Sequence, residues 1–304
     1  MPDTIKALEW DGLGQRIYET GDKNVALYVY QDTATTPEGA SGYTTHYSKG
    51  VAWNGITAIT ESPSGAEATD LWADDTKYAT LRSAEQFGGT IEAYTYPDEW
   101  EVCDGSITVG GVKLGQQKRK AFGLAFISTV GNDTDLNDYG EKLHLIYGAT
   151  VSPAERSYAT INDSPEAITF SWEFTTTPIK IGTYNGVTYK EVSCLTIEYN
   201  DRKSTDFKEK YAAFKQLIFG RSSMTGITGI QAHLPEPAAV LAFFNAENSL
   251  YEYTVTSTEP DDWDTKFMYY YTKDEEDNYH QIGDLAEPPT WVASTYYQRV
   301  YVGT

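Results

Sequence analysis

The chain has 304 residues, of which 40% are hydrophobic, so it can bury a substantial core and is not a disordered protein. Its formal net charge of −21 makes the surface repel nucleic acids and anionic membranes instead of binding them. No apolar run approaches the roughly 20 residues that span a bilayer, and the first residues lack the charged and apolar regions of a signal peptide. We therefore expect a protein that is made and folded in the cytoplasm and has no membrane partner.

Short apolar runs separated by turns dominate the chain. It contains 24 Tyr and 25 Gly, and most apolar runs are bounded by Gly, Asn, Asp or Pro. This pattern predicts a mainly β fold. The predicted strands, in chain order, are residues 24–31, 89–97, 121–130, 142–151, 167–177, 189–198 and 251–256.

The second predicted strand ends in an aromatic segment, EAYTYPDEW. Tyr94 and Tyr96 fall on one face of the strand, and Pro97 ends it. Two interpretations stay open for Tyr94, Tyr96 and the nearby Trp100. They form either a strand and turn with exposed aromatic side chains, or a projection that contacts another subunit.

Residues 131–141 superficially resemble a calcium-binding loop, because Asp133, Asp135 and Asn137 stand at alternate positions. An EF-hand also needs Gly at the sixth position and Glu at the twelfth, where this chain has Asp138 and His144. A turn between two strands is the favoured interpretation. A calcium-dependent hydrolase, with calcium at Asp133 and Asp135, is kept as a minor hypothesis.

The strand at 167–177 shows the clearest alternation, which predicts one side packed on a core and one side facing solvent. The apolar set is Ile168, Phe170, Trp172 and Phe174. The polar set is Thr169, Ser171 and Glu173.

Residues 204–219 have helical rather than strand periodicity, with Phe207, Tyr211, Phe214, Leu217 and Ile218 on one stripe. Ser204 or Thr205 can cap the start of this helix and Gly220 can end it. We expect the helix to lie across an open β-layer and to cover its core.

The last part of the chain differs in composition, since residues 249–304 hold nine of the tyrosines and are strongly acidic. We predict two domains, residues 1–248 and a small β module of residues 249–304. The aromatic residues of this module form either its own small core or flat faces for a sugar ring. The candidates for carbohydrate contact are Trp263, Tyr270, Trp291 and Tyr297.

Patterns that indicate catalysis or metal binding are missing from the sequence. Cys103 and Cys194 lie far apart without CxxC spacing, so we expect reduced, partly buried thiols. The four histidines are scattered singly, and neither a GxSxG elbow nor a Walker lysine is present. We expect no enzyme activity, no catalytic residue, no cofactor and no metal.

Several long segments resemble one known family. The resemblance covers roughly residues 5–245, and the long segments IEAYTYPDEW (91–100), NDYGEKLHLIYGA (137–149) and NDSPEAITFSWEFTTTP (162–178) make it specific. These segments resemble the major tail tube proteins of long-tailed, non-contractile (siphovirus-type) bacteriophages. The helix at 204–219 and HLPEPAAVLAFF (233–244) stand at the places this family implies.

The resemblance implies a tail-tube β-sandwich or barrel with one flanking helix. Six subunits would form a ring in which each lends strands to one continuous barrel around a channel. The rings stack into a tube in the virion, assembled in the cytoplasm of the bacterial host, that serves viral genome ejection. The implied partners are further copies of the chain, a tape-measure protein, tail-end proteins, and DNA in transit only. The family implies no catalytic residues.

Strand edges and charge are two physical features that also suit such a tube. Closing sheets of separate subunits into a ring removes exposed strand edges, and an acidic channel lets duplex DNA pass without sticking. The predicted channel-lining residues are Glu92, Thr169, Ser171 and Glu173, and the predicted inter-ring contacts are Tyr94, Tyr96 and Trp100. A different class, a carbohydrate-binding virion or surface adhesion protein acting through residues 249–304, is the alternative.

Overall fold

The computed structural model describes residues 10, 12–40, 44–65, 67–158, 160, 167–184, 187–200, 202–223, 229–245, 251–255, 270–273, 279–281 and 296–301. The fold is mainly β with antiparallel sheets and few helices, which confirms the predicted fold class. The chain divides into two compact units, the first made of Met1–Tyr30 and Gly50–Tyr211 and the second of Gln31–Lys49 and Ala212–Thr304. The domain boundary proposed after residue 248 stays a prediction.

The first unit holds a large sheet and several small hairpins. Its strands and short helices, in chain order, are β1 (Ile17–Val29), β2 (Gly50–Ala52), β3 (Ile56–Glu61), β4 (Ser64–Gly65), β5 (Ala68–Ala73), β6 (Thr76–Arg82), β7 (Glu85–Gln86), β8 (Gly88–Ala93), a 3-10 turn (Asp98–Trp100), α1 (Glu101–Asp104), β9 (Ile107–Val109), β10 (Val112–Leu114), β11 (Phe122–Asn132), β12 (Leu136–Val151), β13 (Phe170–Thr176), β14 (Gly182–Tyr184), β15 (Val187–Tyr189) and β16 (Cys194–Asn200). Helix α2 (Thr205–Phe219) begins in this unit and ends in the second.

The second unit contains the remaining elements, α3 (Pro237–Asn245), β17 (Tyr251–Val255), β18 (Tyr270–Lys273), β19 (Tyr279–Gln281) and β20 (Tyr296–Tyr301). The last four strands form an antiparallel sheet in the order β17-β20-β18-β19. A β module was expected in this part of the chain.

Each predicted strand and the predicted helix have a counterpart in the fold, although their ends differ. β11 and β12 are longer than predicted because they form one long hairpin around a tight turn at residues 133–135. That turn is where the calcium loop was considered, so the turn interpretation is confirmed. Helix α3 was not predicted, because its sequence PAAVLAFFN is apolar on every side and shows no polar stripe.

The large sheet has the strand order β2-β1-β11-β12-β13-β8-β3, with β16 also paired to β12. β12 has two neighbours on one side because it pairs first with β16, over residues 140–146, and then with β13, over residues 149–151. The two ends of the order, β2 and β3, are joined by only three residues, 53–55. The sheet therefore curls so that its two ends approach each other, and its inner face encloses a core.

Aromatic side chains fill this core. Trp100 and Trp172 are fully buried, and their rings lie 5.3 Å apart. The Trp53 ring lies 4.4 Å from that of Trp100, and its Nε1 donates to the Thr95 carbonyl at 2.8 Å. Phe170 is half-buried while Trp172 and Phe174 are buried, as the alternation predicted for this strand. Ile168 precedes β13 and is exposed, so it departs from that prediction.

The two cysteines differ from each other. Cys103 lies in this core, and burial raises the pKa of its thiol to about 12. Cys194, at the start of β16, is exposed. Both are free thiols, as expected, but neither is partly buried as predicted.

Gly148 lies where β12 changes partner. It has a φ of +61°, and an added Cβ would overlap the carbonyl oxygen of Thr177. We expect Gly148→Ala to lower the free energy of unfolding by about 2–3 kcal/mol, through strain at positive φ and overlap with the backbone. Gly21→Ala is the matched control, since Gly21 has a φ of +64° with open space around it and should cost only about 1 kcal/mol. Equal losses in chemical denaturation would contradict this account of Gly148.

Within the second unit, the loop at residues 31–49 is bound to the segment before α3. The Thr45 hydroxyl donates to the Leu234 carbonyl at 2.7 Å, and the Leu234 N–H donates to the Tyr47 carbonyl at 3.0 Å. Phe214 of α2 lies 5.3 Å from Phe243 of α3, between ring centroids. Helix α2 thus packs in this unit through the apolar stripe that the sequence predicted.

His233 gives the second unit a pH dependence. Its side chain is fully buried, and burial lowers its pKa from 6.5 to about 4, although its contact with the Gln231 carbonyl opposes this shift. The unfolded chain therefore takes up a proton more readily than the folded one between pH 6.5 and 4. The contribution of neutral, buried His233 to the free energy of unfolding is therefore complete above about pH 6.5 and is lost as the pH falls toward 4.

We expect the free energy of unfolding to drop by about 2 kcal/mol between pH 7 and pH 5 from this one group. Chemical denaturation at a series of pH values measures it. His233→Gln is the control and should remove that part of the pH dependence. An unchanged slope in this variant would assign the pH dependence to other groups.

Candidate functional site

Four strand segments of the first unit form a region with the features of a functional surface. They are residues 17–23 of β1, 127–132 of β11, 136–146 of β12, and β16, lying side by side in that order. Every pair is antiparallel. We call this part of the large sheet the four-stranded region.

One face of the four-stranded region is covered by the first half of α2. Ile127 and Leu143 are fully buried on this face. The ring of Tyr211 stacks on Tyr199 of β16 with centroids 4.8 Å apart, and its hydroxyl donates to Glu141 at 3.1 Å. Burial and the neighbouring Glu141 carboxylate raise the pKa of Tyr211 far above its usual value. This face is therefore the packed side.

The opposite face carries a cluster of polar side chains. Val130 and Ile146 also lie on this side but are buried. We define the polar face as the six polar residues Glu19, Ser128, Lys142, His144, Thr196 and Glu198. The Glu19 carboxylate accepts from the Lys142 ammonium at 2.6 Å and from the Ser128 hydroxyl at 2.5 Å. The His144 ring stacks on Phe126, with centroids 4.6 Å apart.

The charges of the polar face are weakly negative in sum. Burial would raise the pKa of Glu19, but hydrogen bonds from Lys142 and Ser128 outweigh it and lower the pKa, so Glu19 stays ionised. Burial lowers the pKa of His144 in spite of the nearby carboxylates of Glu61 and Glu19, so the imidazole is neutral at pH 7. The lysine is bound to Glu19, and Glu198 adds a further carboxylate.

Ser128 and His144 resemble part of a nucleophilic triad but are not arranged as one. The Ser128 Oγ lies 2.9 Å from His144 Nε2, yet its hydroxyl proton is donated to Glu19. In this arrangement the imidazole must donate to the serine, whereas a catalytic base accepts from it. The cluster is therefore a structural hydrogen-bond network.

The part of the chain that the structure describes contains no group of three or more His, Cys, Asp and Glu residues suited to hold a metal ion. None of its helices has the length and apolar character needed to cross a membrane.

Among the strands that the structure describes, the four-stranded region has an open edge on each side. β2 pairs with β1 only at residues 26–28, so no described strand pairs with the outer edge of residues 17–24. β16 pairs only with β12 among the described strands. The Tyr147 N–H donates to the Ser193 carbonyl at 2.8 Å, so residue 193 bonds toward β12. In an antiparallel pair every second residue bonds toward the partner strand, so the N–H groups of Thr196 and Glu198 point away from β12, toward the open edge.

The predicted channel residues lie elsewhere on the large sheet. Ser171 of β13 is the cross-strand partner of Glu92 of β8, and both are exposed, as is Glu173. Thr169 is exposed just before β13. Glu92, Ser171 and Glu173 thus share the solvent side of their strands, but these strands are outside the four-stranded region. Their place in a channel stays a prediction.

The predicted inter-ring residues separate into three environments. Tyr94 is 55% exposed. Tyr96 is half-buried, with its ring 5.3 Å from that of Phe170. Trp100 is fully buried in the core, so it has no surface left for a contact with another subunit. The assignment of Trp100 to such a contact is corrected: the segment after Pro97 turns inward as a 3-10 turn and buries this side chain.

The residues predicted to contact carbohydrate are only partly covered by the structure. Trp263 and Trp291 lie outside the described residues. Tyr270 is in β18 and pairs with Gln298, while Tyr297 of β20 pairs with Tyr271. The two tyrosines are therefore not cross-strand partners, and their role stays a prediction.

Sequence reasoning missed the polar cluster around Glu19. Its members come from four strands, and the β11 sequence FGLAFISTV reads as a continuous apolar run because both of its faces are buried. The one available signal was the alternation of Lys142 and His144 with apolar residues in the predicted strand 142–151. Glu19 precedes the predicted first strand, so nothing in the sequence connected it to them.

No protein-family model matches the chain, and no curated protein sequence matches it. Among solved structures, a chain from the cryo-EM structure of the anti-feeding prophage baseplate, six-fold symmetrised, is similar to this one. The similarity covers 62% of this chain and 97% of that chain, at 6% sequence identity and a TM-score of 0.25. At this TM-score the similarity carries no argument about the fold or role of this chain.

Proposed function

We propose that the chain is the structural subunit of a bacteriophage tail tube, which assembles as stacked hexameric rings around a channel for the genome. The observation that carries the proposal is the four-stranded region with an open strand edge on each side. The resemblance of residues 91–100, 137–149 and 162–178 to major tail tube proteins supports the same assignment.

The directions of the strands suit ring closure. β1, β11, β12 and β16 alternate in direction, so β1 and β16 run in opposite directions. When β16 of one copy lies beside β1 of the next, the new pair is antiparallel like all the others. This contact joins two different edges, so it is heterologous and repeats from copy to copy until the ring closes.

The size of the closed wall fits a conduit. Six copies of a four-stranded region form a barrel of about 24 strands, whereas barrels of roughly 16–18 strands already enclose an aqueous channel. Because the first half of α2 covers one face of the region, the polar face is the side available to line the channel. Closure also removes the two exposed edges, which otherwise invite uncontrolled pairing.

The charge of the polar face suits a passing duplex. Glu19, Glu198 and the neighbouring Glu61 face a single ammonium group, that of Lys142, which Glu19 already binds. Cationic groups hold DNA through contacts with its phosphates. A wall whose cation is already neutralised offers few such contacts, so DNA would slide past it.

Electron microscopy and sedimentation velocity of the purified protein over a range of concentrations test the proposal. We expect ring-shaped particles that stack into tubes as the concentration rises. A protein that stays monomeric at every concentration would contradict the proposed function.

A further inference from the structure

Hairpin β9–β10 exposes its apolar face to solvent and packs its polar face against the protein, the reverse of an ordinary surface hairpin. Its cross-strand pairs are Ile107 with Leu114, Thr108 with Lys113, and Val109 with Val112. The four aliphatic side chains share one face and are 43–61% exposed. We call this face the aliphatic patch.

The polar side of the same hairpin contacts Glu101 of α1 and the ring of Tyr96. The Lys113 ammonium lies 2.9 Å from the Glu101 carboxylate and 4.9 Å from the centroid of the Tyr96 ring. The Thr108 hydroxyl donates to Glu101 at 2.8 Å. These bonds fix the orientation of the hairpin. The aliphatic patch therefore faces outward because the polar side is bonded to the protein.

A second hairpin, β5–β6, also exposes large apolar side chains. Its exposed members are Leu71, Trp72, Tyr78 and Leu81, with Trp72 at 69% and Tyr78 at 77%. Every described residue of β5 is exposed, and those of β6 are exposed except one. We call residues 68–82 the arm. An isolated two-stranded hairpin is marginally stable in water, so the arm gains stability when another surface covers it.

The charges next to the two hairpins are opposite in sign. Residues 67–75, which include the first strand and the turn of the arm, contain four carboxylates and no basic residue. Asp70 is paired with Lys77 of the arm at 2.7 Å, and Asp74 and Asp75 lie at the turn. Residues 113–120 contain four basic residues and no acidic one, in a chain with a net charge of −21. Lys118 and Lys120 are exposed, as are Asp74 and Asp75. The basic residues among 113–120 therefore adjoin the aliphatic patch. In the same way, the acidic turn with Asp74 and Asp75 adjoins the apolar side chains of the arm.

We propose that the arm of one copy docks on the aliphatic patch of a second copy, with Asp74 and Asp75 facing Lys118 and Lys120. Both surfaces are exposed within one chain, so they do not cover each other there. A second copy supplies the matching apolar surface and the matching charge together. The contact joins two different surfaces, so it is heterologous and can link one ring to the next.

The proposal rests on the proposed function in one respect, that copies of the chain assemble. It adds a contact distinct from the strand edges.

The test of the docking contact is a double-mutant cycle on the full chain, with Lys118→Glu/Lys120→Glu on one side and Asp74→Asn/Asp75→Asn on the other. Asn is chosen because positions 74 and 75 have positive φ, which Asn tolerates. Lys180→Glu/Lys190→Glu is the control, with the same change of charge at other exposed lysines.

We expect the lysine reversal to raise the concentration needed for stacking about tenfold, and the control to leave it unchanged. With the aspartates neutralised, the same reversal should have a clearly smaller effect, because the two sets of charges face each other. Circular dichroism of each variant checks that the subunit is folded.

Three other outcomes are informative. Stacking that is insensitive to the lysine reversal, or equally sensitive with and without the aspartates, would overturn the docking contact and leave the ring proposal standing. Association that needs the lysines but persists when the strand edge is blocked by Thr196→Pro would keep the docking contact and overturn ring closure. A strictly monomeric wild type would overturn both.

Discussion

Trp100→Ala is expected to lower the free energy of unfolding by about 3–5 kcal/mol, as for other large aromatic residues removed from a core. Trp100 is fully buried, and its ring centroid lies 4.9 Å from that of Phe122 as well as close to those of Trp53 and Trp172. Its Nε1 has no hydrogen-bond partner among the described residues, so the loss comes from packing and from the cavity left behind. Chemical denaturation of the isolated subunit measures it.

Tyr94→Ala is the matched control for this variant. Tyr94 is an aromatic residue of the same segment but is 55% exposed, so its removal should change the stability by no more than about 0.5 kcal/mol. The pair of variants also tests the corrected placement of Trp100. If Trp100→Ala left the unfolding of the subunit unchanged and weakened only its assembly, Trp100 would belong to a subunit contact and not to the core.

Thr196→Pro is expected to abolish ring formation while the subunit stays folded. The N–H of Thr196 points away from β12, toward the open edge of β16, so proline removes no bond of the existing ladder. In the proposed ring this N–H donates to β1 of the next copy. Because the same bond recurs at every junction, its loss is multiplied around the ring.

Thr196→Val is the control, since valine is also β-branched and keeps the N–H. Sedimentation velocity should show rings for Thr196→Val and only monomers for Thr196→Pro, with equal circular dichroism spectra. Rings formed equally well by both variants would mean that the edge of β16 is not the site of pairing.

Much of the fold could be predicted because local patterns determine it. The alternation around Trp172 and the apolar stripe of α2 each record which side of the element is buried. Strand ends were less accurate, since the extension of β12 back to Leu136 depends on pairing with β11 and not on its own residues. Helix α3 has no stripe to detect.

The candidate site was harder to predict, because open edges and clusters are properties of the assembled sheet. Glu19 and Lys142 are 123 residues apart in the chain, yet form one ion pair. The strand alternation assigned Ser171 and Glu173 to the solvent side, as in the structure, but it could not reveal that their strands lie outside the four-stranded region. Trp100 was misplaced because it lies three residues after a strand-ending proline, where neither strand nor helix periodicity applies.

The most direct measurement is a cryo-EM map of the assembled protein at a resolution that traces the backbone. We expect β16 of each subunit to lie beside residues 17–24 of its neighbour as an antiparallel pair, and Glu19, Lys142 and Glu198 to face the channel. A map in which these two edges are already paired within the same subunit, or in which free lysine and arginine side chains line the channel, would contradict this expectation.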